Sequence, residues 1–163
     1  MQIRQYVYFS IGSETITADE MTNWLGLQPD RATVRGSKRT EPTLIPIWHG
    51  WRIYAAEHNA AVGDQIDQVI DRLRPYQDAI RALVTDLGSS GGAVLQVVRH
   101  FNDPEGEEEH PKTFGQLQKL PGQHQLLGWH LDRDTLAFLL AIGASLDVDE
   151  YDMAPGQASR PAD

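Results

Sequence analysis

Residues 64–87 read DQIDQVIDRLRPYQDAIRALVTDL, and their spacing decides how the rest of the chain is organised. Apolar side chains recur every three or four positions, which is the period of one helical face, and charged side chains occupy the opposite face. The pattern predicts an amphipathic helix that packs on a sheet. Pro75 interrupts the stretch without shifting its phase. We therefore expect either a kinked helix or two short helices, the second beginning with Pro75 at its first position.

Before this stretch, the sequence predicts a strand followed by a capped helix. Residues 6–11 alternate between apolar and polar side chains, as a half-buried strand does. Thr17 and Glu20 have the spacing of a capping box, in which each side chain satisfies a backbone donor of the other residue. Gly26 suits the left-handed end of the helix, and Pro29 prevents the helix from resuming.

Three further segments have the composition of strands. They are residues 32–35, residues 47–55 and residues 94–101. The last of these is apolar on nearly both faces, so we expect it to be central in the sheet.

The C-terminal part repeats the order found around Thr17. We predict a strand at residues 125–131, a helix that begins after Asp132 and ends at Gly143, and a strand at residues 145–149. The repetition indicates either two related strand-helix-strand units or only the capping chemistry that short helices share. In both cases the element order predicts an α+β fold, with helices packed on one side of a mainly antiparallel sheet in a ferredoxin-like layering.

We expect residues 1–152 to form one domain, because 163 residues with 40% hydrophobic content suit a single core. Within this domain, residues 102–124 contain many Pro and Gly residues and an acidic run, which favours a mobile acidic loop. Residues 153–163 are small and polar, and we expect them to form a disordered tail.

Charge and composition exclude several classes of protein. A formal net charge of -9 argues against general nucleic-acid binding, which depends on Lys and Arg neutralising phosphates. The acidity lies in residues 103–163, which hold twelve acidic and four basic residues, a net charge of -8. No segment has the pattern of a signal peptide or a membrane span, so we expect a soluble cytoplasmic protein.

The sequence offers no motif for catalysis or metal binding. There is no cysteine, and the six histidines lack the spacing of a zinc site. No serine occupies a Gly-x-Ser-x-Gly motif, and no glycine-rich segment ends as a phosphate loop does. We therefore predict no catalytic residues, no metal and no cofactor.

Several short motifs resemble a known bacterial family. The chain is similar to the family catalogued as domain of unknown function 4279 over about residues 6–152. The motifs that carry the resemblance are Tyr8-Phe9-Ser10-Ile11, Thr17-Ala18-Asp19-Glu20, Leu25-Gly26-Leu27-Gln28-Pro29, Gly50-Trp51 and Leu146-Asp147-Val148-Asp149-Glu150-Tyr151. The resemblance implies no activity, catalytic residue or cofactor.

Binding residues are predicted in three places. The first is a basic cluster of Arg31, Arg35, Lys38 and Arg39. The second is a set of aromatic side chains that suit an interface, Trp48 and Trp51 with Tyr54. The third is the acidic run Glu107, Glu108 and Glu109.

These candidates favour a non-enzymatic module that binds another protein. One form is an inhibitor or immunity-type protein, whose acidic C-terminal half covers a partner with a basic surface. A small-molecule-binding or metal-dependent enzyme, with a pocket between the sheet and the acidic loop, remains the alternative. A homo-oligomer formed by pairing of an exposed strand edge is a third possibility.

Overall fold

Helices cover one face of a mixed sheet, and in the described part of the chain no helix packs on the other face. The computed structural model describes residues 2–58, 60–108 and 128–154. Within these residues the strands are β1 (Gln2–Ser13), β2 (Arg31–Thr33), β3 (His49–Tyr54), β4 (Gly91–Phe101), β5 (Glu107–Glu108) and β6 (Ala144–Asp152). The helices are α1 (Ala18–Leu25), α2 (Val62–Leu73), α3 (Gln77–Leu87) and α4 (Arg133–Ile142). This architecture confirms the predicted α+β class.

The strand order in the sheet is β2-β3-β1-β4-β6. Every pairing along this order is antiparallel except that of β4 with β6, which is parallel, so the sheet is mainly antiparallel as predicted. The short β5 pairs with Gln2 and Ile3 at the beginning of β1. Strand β4, which contains the segment expected to be central, lies inside the sheet beside the central β1.

The alternation of β1 places its odd-numbered side chains in the core. Val7, Phe9 and Ile11 are all 0% exposed. Phe9 pairs with Ile53 of β3 and with Leu95 of β4, so the three strands present one continuous apolar surface to the helices. The side chains that α2 and α3 bury against this core are those of the predicted helical stripe: Ile66, Val69, Ile70, Leu73, Ile80, Leu83 and Leu87. Full burial of such a side chain contributes about 1.5–3 kcal/mol.

Pro75 separates two helices, which is the second of the two predicted arrangements. Helix α2 ends at Leu73, and a turn of 3₁₀ helix spans Arg74–Tyr76. Helix α3 begins at Gln77, so the prediction that Pro75 is its first residue was wrong. The reason is that proline has no N–H to continue the hydrogen bonds of α2, and the chain passes through a tighter turn before the next helix begins.

Both predicted helix caps are present. The hydroxyl of Thr17 accepts from the backbone N–H of Glu20 at 3.3 Å, and the Glu20 carboxylate accepts from the Thr17 N–H at 2.8 Å. Asp132 Oδ1 accepts from the backbone N–H of Thr135 at 2.7 Å. Gly26 and Gly143 end their helices with φ of 66° and 69°, a left-handed conformation that favours glycine.

The strand predicted at residues 125–131 is not found in its described part. Residues 128–132 have no regular secondary structure, although Trp129 and Leu131 pack against the core. Burial of their side chains therefore explains the apolar pattern without a strand. Residues 125–127, residues 109–124 of the predicted loop and residues 155–163 of the predicted tail lie outside the described part of the chain.

Candidate functional site

The open face of the sheet carries the even-numbered side chains of β1 and their neighbours on the adjacent strands. No helix of the described chain packs on this face, and Tyr6, Tyr8 and Ser10 on it are only partly buried. The open face therefore presents side chains of regular structure to a ligand or partner.

A row of aromatic rings crosses this open face. Tyr8 pairs with Tyr54 across β1 and β3, with ring centroids 5.1 Å apart. Tyr6 lies 6.2 Å from Tyr8 and 6.2 Å from His100 of β4, and both pairs are stacked. His100 in turn stacks on Tyr151 of β6 at 5.1 Å. We call these five residues the aromatic row.

The rings of the aromatic row are partly withdrawn from water. Burial raises the pKa of the Tyr6 and Tyr8 hydroxyls above their usual value, so both tyrosines stay neutral at physiological pH. Tyr151, at the outer end of the row, is 47% exposed. Nδ1 of His100 is buried and has no hydrogen-bond partner among the described residues. The row combines apolar ring surface with polar tips.

A groove of about 600 Å³ lies between the open face and the segment that joins β2 to β3. Its floor contains Gly50, Gly12 and Gly92, which are register neighbours on β3, β1 and β4. Trp48 packs over Gly12 so closely that a Cβ at this position would lie 2.9 Å from Cε3 of the indole. A Cβ at Gly50 would likewise meet the hydroxyl of Thr33, so glycine at these two positions makes room for the side chains that flank the groove.

Three cations line this groove, which we call the basic groove. They are Arg31, Lys38 and Arg52, and no carboxylate is among the lining residues. Among the described residues none of the three forms an ion pair. The Arg52 guanidinium lies 5.2 Å from the ring centroid of Tyr8, which joins the groove to the aromatic row.

The predicted basic cluster divides between the groove and its supporting segment. Arg31 and Lys38 line the groove together with Trp48. Arg35 instead donates from Nε to the backbone oxygen of Ile47 at 2.9 Å, and Arg39 donates from Nε to the oxygen of Thr43 at 3.3 Å. These two arginines therefore hold the segment in shape.

The other predicted binding residues lie elsewhere. Trp51 is 0% exposed in the core on the covered face of the sheet, so it does not join Trp48 at the surface. Glu107 and Glu108 form β5 beside the first residues of β1, and Glu109 lies outside the described residues. Ile3, the partner of Glu107, and Gly12 in the groove are separated by about 30 Å of extended strand.

Carboxylates collect at the β6 end of the open face. Asp147 and Asp149 share this face with Tyr151, because their register partners are Gln96, Val98 and His100 of β4. Gln96 donates from Nε2 to Asp149 at 3.1 Å. The cations of the basic groove thus lie on the β2 and β3 side of the open face, and the two carboxylates lie on its β6 side.

Sequence reasoning missed most of the aromatic row and Arg52. A signal was present, since Tyr6 and Tyr8 occupy the face of β1 opposite its apolar side chains. However, Tyr6, His100 and Tyr151 come from strands far apart in sequence, and only the register of the sheet brings them together.

In residues 2–58, 60–108 and 128–154, no group of three His, Asp or Glu side chains has an arrangement that would hold a metal ion. None of the helices in these ranges combines the length and the apolar character needed to cross a membrane.

Comparison with known proteins gives one result. Neither the curated proteins nor the solved structures contain a match to this chain. A family model described as "Domain of unknown function (DUF4279)" matches residues 1–153. This span includes the whole sheet and all four described helices, and the chain therefore belongs to the DUF4279 family.

Proposed function

We propose that this chain is a protein-binding module that recognises a partner with a basic surface through the aromatic row and the carboxylates of β6. The single observation that carries the proposal is the row of five neighbouring rings across β3, β1, β4 and β6 on the open face, in which three contacts are stacked and the contact of Tyr8 with Tyr54 is tilted. Tyrosine is enriched at the centres of protein interfaces, where its ring supplies apolar contact area and its hydroxyl supplies a hydrogen bond.

Stacking prepares the row for binding. Each ring between the two ends contacts a ring on either side, so its rotamer is already restricted in the free protein. Binding then costs less side-chain entropy than it would for isolated surface tyrosines. The row also extends over four strands, which suits a broad protein surface.

Charge favours a basic partner. Asp147 and Asp149 lie on the same face of β6 as Tyr151, and tyrosine ring faces attract Lys and Arg side chains. The net charge of -9 adds a longer-range attraction that speeds encounter with a cationic protein. An inhibitor or immunity-type protein that covers a basic surface is a specific form of this function.

The test compares proteins captured from the lysate of the source organism at low and moderate salt. The binding variant is Asp147→Asn with Asp149→Asn, which removes two charges and keeps the hydrogen-bonding shape. The matched control is Asp71→Asn with Asp78→Asn, which removes two charges from exposed positions on α2 and α3. Tyr151→Ser tests the aromatic row separately.

We expect the unmodified protein and the helix control to retain the same near-stoichiometric protein, and moderate salt to release it. The β6 variant and Tyr151→Ser should each retain it at least about tenfold less well, because an interface hot spot contributes about 2 kcal/mol. Equal retention by the β6 variant and the helix control would contradict the proposal.

A further inference from the structure

We propose a second binding site in this protein: the basic groove binds an oxyanion, the phosphate or carboxylate group of a small molecule. The site uses Arg31, Lys38 and Arg52, none of which belongs to the aromatic row or to the β6 carboxylates. The inference therefore goes beyond protein recognition and does not depend on it.

Ion pairs are unevenly distributed among the cations of this protein. Five arginines outside the groove lie within 4.0 Å of a carboxylate: Arg4, Arg72, Arg74, Arg81 and Arg99. The three groove cations have no such partner among the described residues, although the chain carries nine more acidic than basic side chains. Cations gathered in a concave site without a carboxylate create a positive potential that attracts anions.

Arg52 lies in an environment that favours anion binding. Its side chain is partly buried, and its Nε is buried with no hydrogen-bond acceptor among the described residues. Its guanidinium rests over the Tyr8 ring, which restricts the side chain and withdraws part of it from water. A partly desolvated guanidinium without a carboxylate is a strong binder of phosphate and carboxylate, because its planar fork matches both groups.

The shape of the groove also suits a small ligand. Its volume of about 600 Å³ falls in the range of small-molecule sites. Trp48 lies over Gly12 of the glycine floor and supplies an apolar wall beside the cations. A ligand can therefore place a charged group at the cations and a less polar part against the indole.

The test is isothermal titration of the full chain with inorganic phosphate and, separately, with citrate. Sodium chloride keeps the ionic strength constant, so that general screening does not differ between titrations. The variants are Arg52→Gln and Lys38→Gln, the second at an exposed position where loss of the side chain should not affect folding. The matched control is Arg133→Gln, an exposed cation of α4 that likewise has no ion pair among the described residues and lies outside the groove.

We expect phosphate or citrate to bind the unmodified protein with one site. Arg52→Gln should raise the Kd about tenfold, as expected for one lost hydrogen bond to a charged group, and Lys38→Gln should raise it in the same direction. Arg133→Gln should leave the Kd unchanged. Binding of phosphate alone would assign the site to phosphorylated ligands, and binding of citrate alone would assign it to carboxylates.

Two results would overturn the inference. One is the absence of binding by both anions beyond that of chloride. The other is an equal loss of affinity in Lys38→Gln and Arg133→Gln, which would show only a general attraction between anions and surface cations. Because the probes are small ions, neither result depends on whether the open face binds a protein.

Discussion

The side chain of Gln65 makes the hydrogen bond to Val7 that a neighbouring strand would otherwise make. Its Oε1 accepts a hydrogen bond from the backbone N–H of Val7 at 2.9 Å inside the core. Gln65 is 0% exposed, and its Nε2 donates to the backbone oxygens of Gln5 at 3.4 Å and Ala60 at 2.8 Å. Strand β3 pairs with β1 only from Tyr8 onward, and β5 pairs only with its first residues. The amide thus satisfies the backbone groups that neither strand reaches.

Replacing Gln65 by Leu should destabilise the protein by about 1–3 kcal/mol, because the buried N–H of Val7 would lose its acceptor. Urea unfolding measures the change. The control is Gln68→Leu on the same helix, whose Oε1 accepts from Ala56 and Glu57 at an exposed position where water can replace it. We expect the control to cost less than about 1 kcal/mol. Equal losses of stability in the two variants would show that the hydrogen bond from Val7 to Gln65 is not important for stability.

The ion pair between Asp30 and Arg72 should make stability depend on pH. Arg72 donates to both Asp30 oxygens, at 2.7 and 2.8 Å, and Asp30 accepts from the Tyr54 N–H at 2.7 Å. The hydrogen bond from Arg72 is the largest cause that lowers the pKa of Asp30 below its usual value. The unfolded chain therefore binds the proton at a higher pH than the folded protein does.

The stabilisation by Asp30 is complete above its unfolded pKa of about 4 and is lost as the pH falls through the lower folded pKa. Asp30→Asn should thus cost about 0.5–1 kcal/mol from pH 5 to 8, because the pair is partly exposed, and progressively less below pH 4. Urea unfolding at a series of pH values measures this. The control Asp147→Asn removes an exposed carboxylate of β6 that forms no ion pair among the described residues, and it should cost less than Asp30→Asn at pH 5 to 8. A difference that persists unchanged in acid would disprove the account.

The buried guanidinium of Arg99 should make Glu150 important for stability. The Arg99 side chain is 4% exposed and donates to Glu150 at 2.9 Å and to Gln5 Oε1 at 3.2 Å. Glu150→Ala should cost about 1–2 kcal/mol, which is less than for a fully buried pair, because the Glu150 side chain is 48% exposed and water can replace part of the contact. Chemical denaturation should show no comparable loss for Asp147→Ala on the same strand.

Contact between Gly12 and Trp48 should appear as coupling in a double-mutant cycle. Gly12→Ala would place a Cβ 2.9 Å from the indole and should cost about 1–3 kcal/mol by overpacking. In a Trp48→Ala background the same substitution should cost almost nothing, because the clashing ring is gone. Thermal or urea unfolding of the four proteins measures the coupling. Equal destabilisation by Gly12→Ala in both backgrounds would show that the added Cβ does not clash with Trp48.

Local chemistry made parts of this fold predictable from sequence. The apolar stripe of residues 64–87, the capping box at Thr17 and the left-handed glycine ends at Gly26 and Gly143 depend on residues close in sequence. The same local rules failed at residues 128–131, where apolar side chains pack on the core without a strand. Periodicity reports which side chains are buried, and it does not report which backbone groups find hydrogen-bond partners.

The candidate sites depend on long-range pairing. Arg31, Lys38 and Trp48 were visible in the sequence as a cationic segment followed by an aromatic residue. That Arg52 joins them, and that Trp51 belongs to the core, follows from the phase of β3 within the sheet.

The sequence by itself determined the apolar helical stripe, the caps of α1 and α4, the class of fold and the acidic character of the chain, because each depends on local spacing or composition. Only the tertiary structure decided which sheet face stays open, which rings stack across β1, β4 and β6, and that Gln65 satisfies the edge of β1. The physical reason is that strand register and the satisfaction of buried backbone groups are set between residues tens of positions apart, where sequence spacing carries no signal.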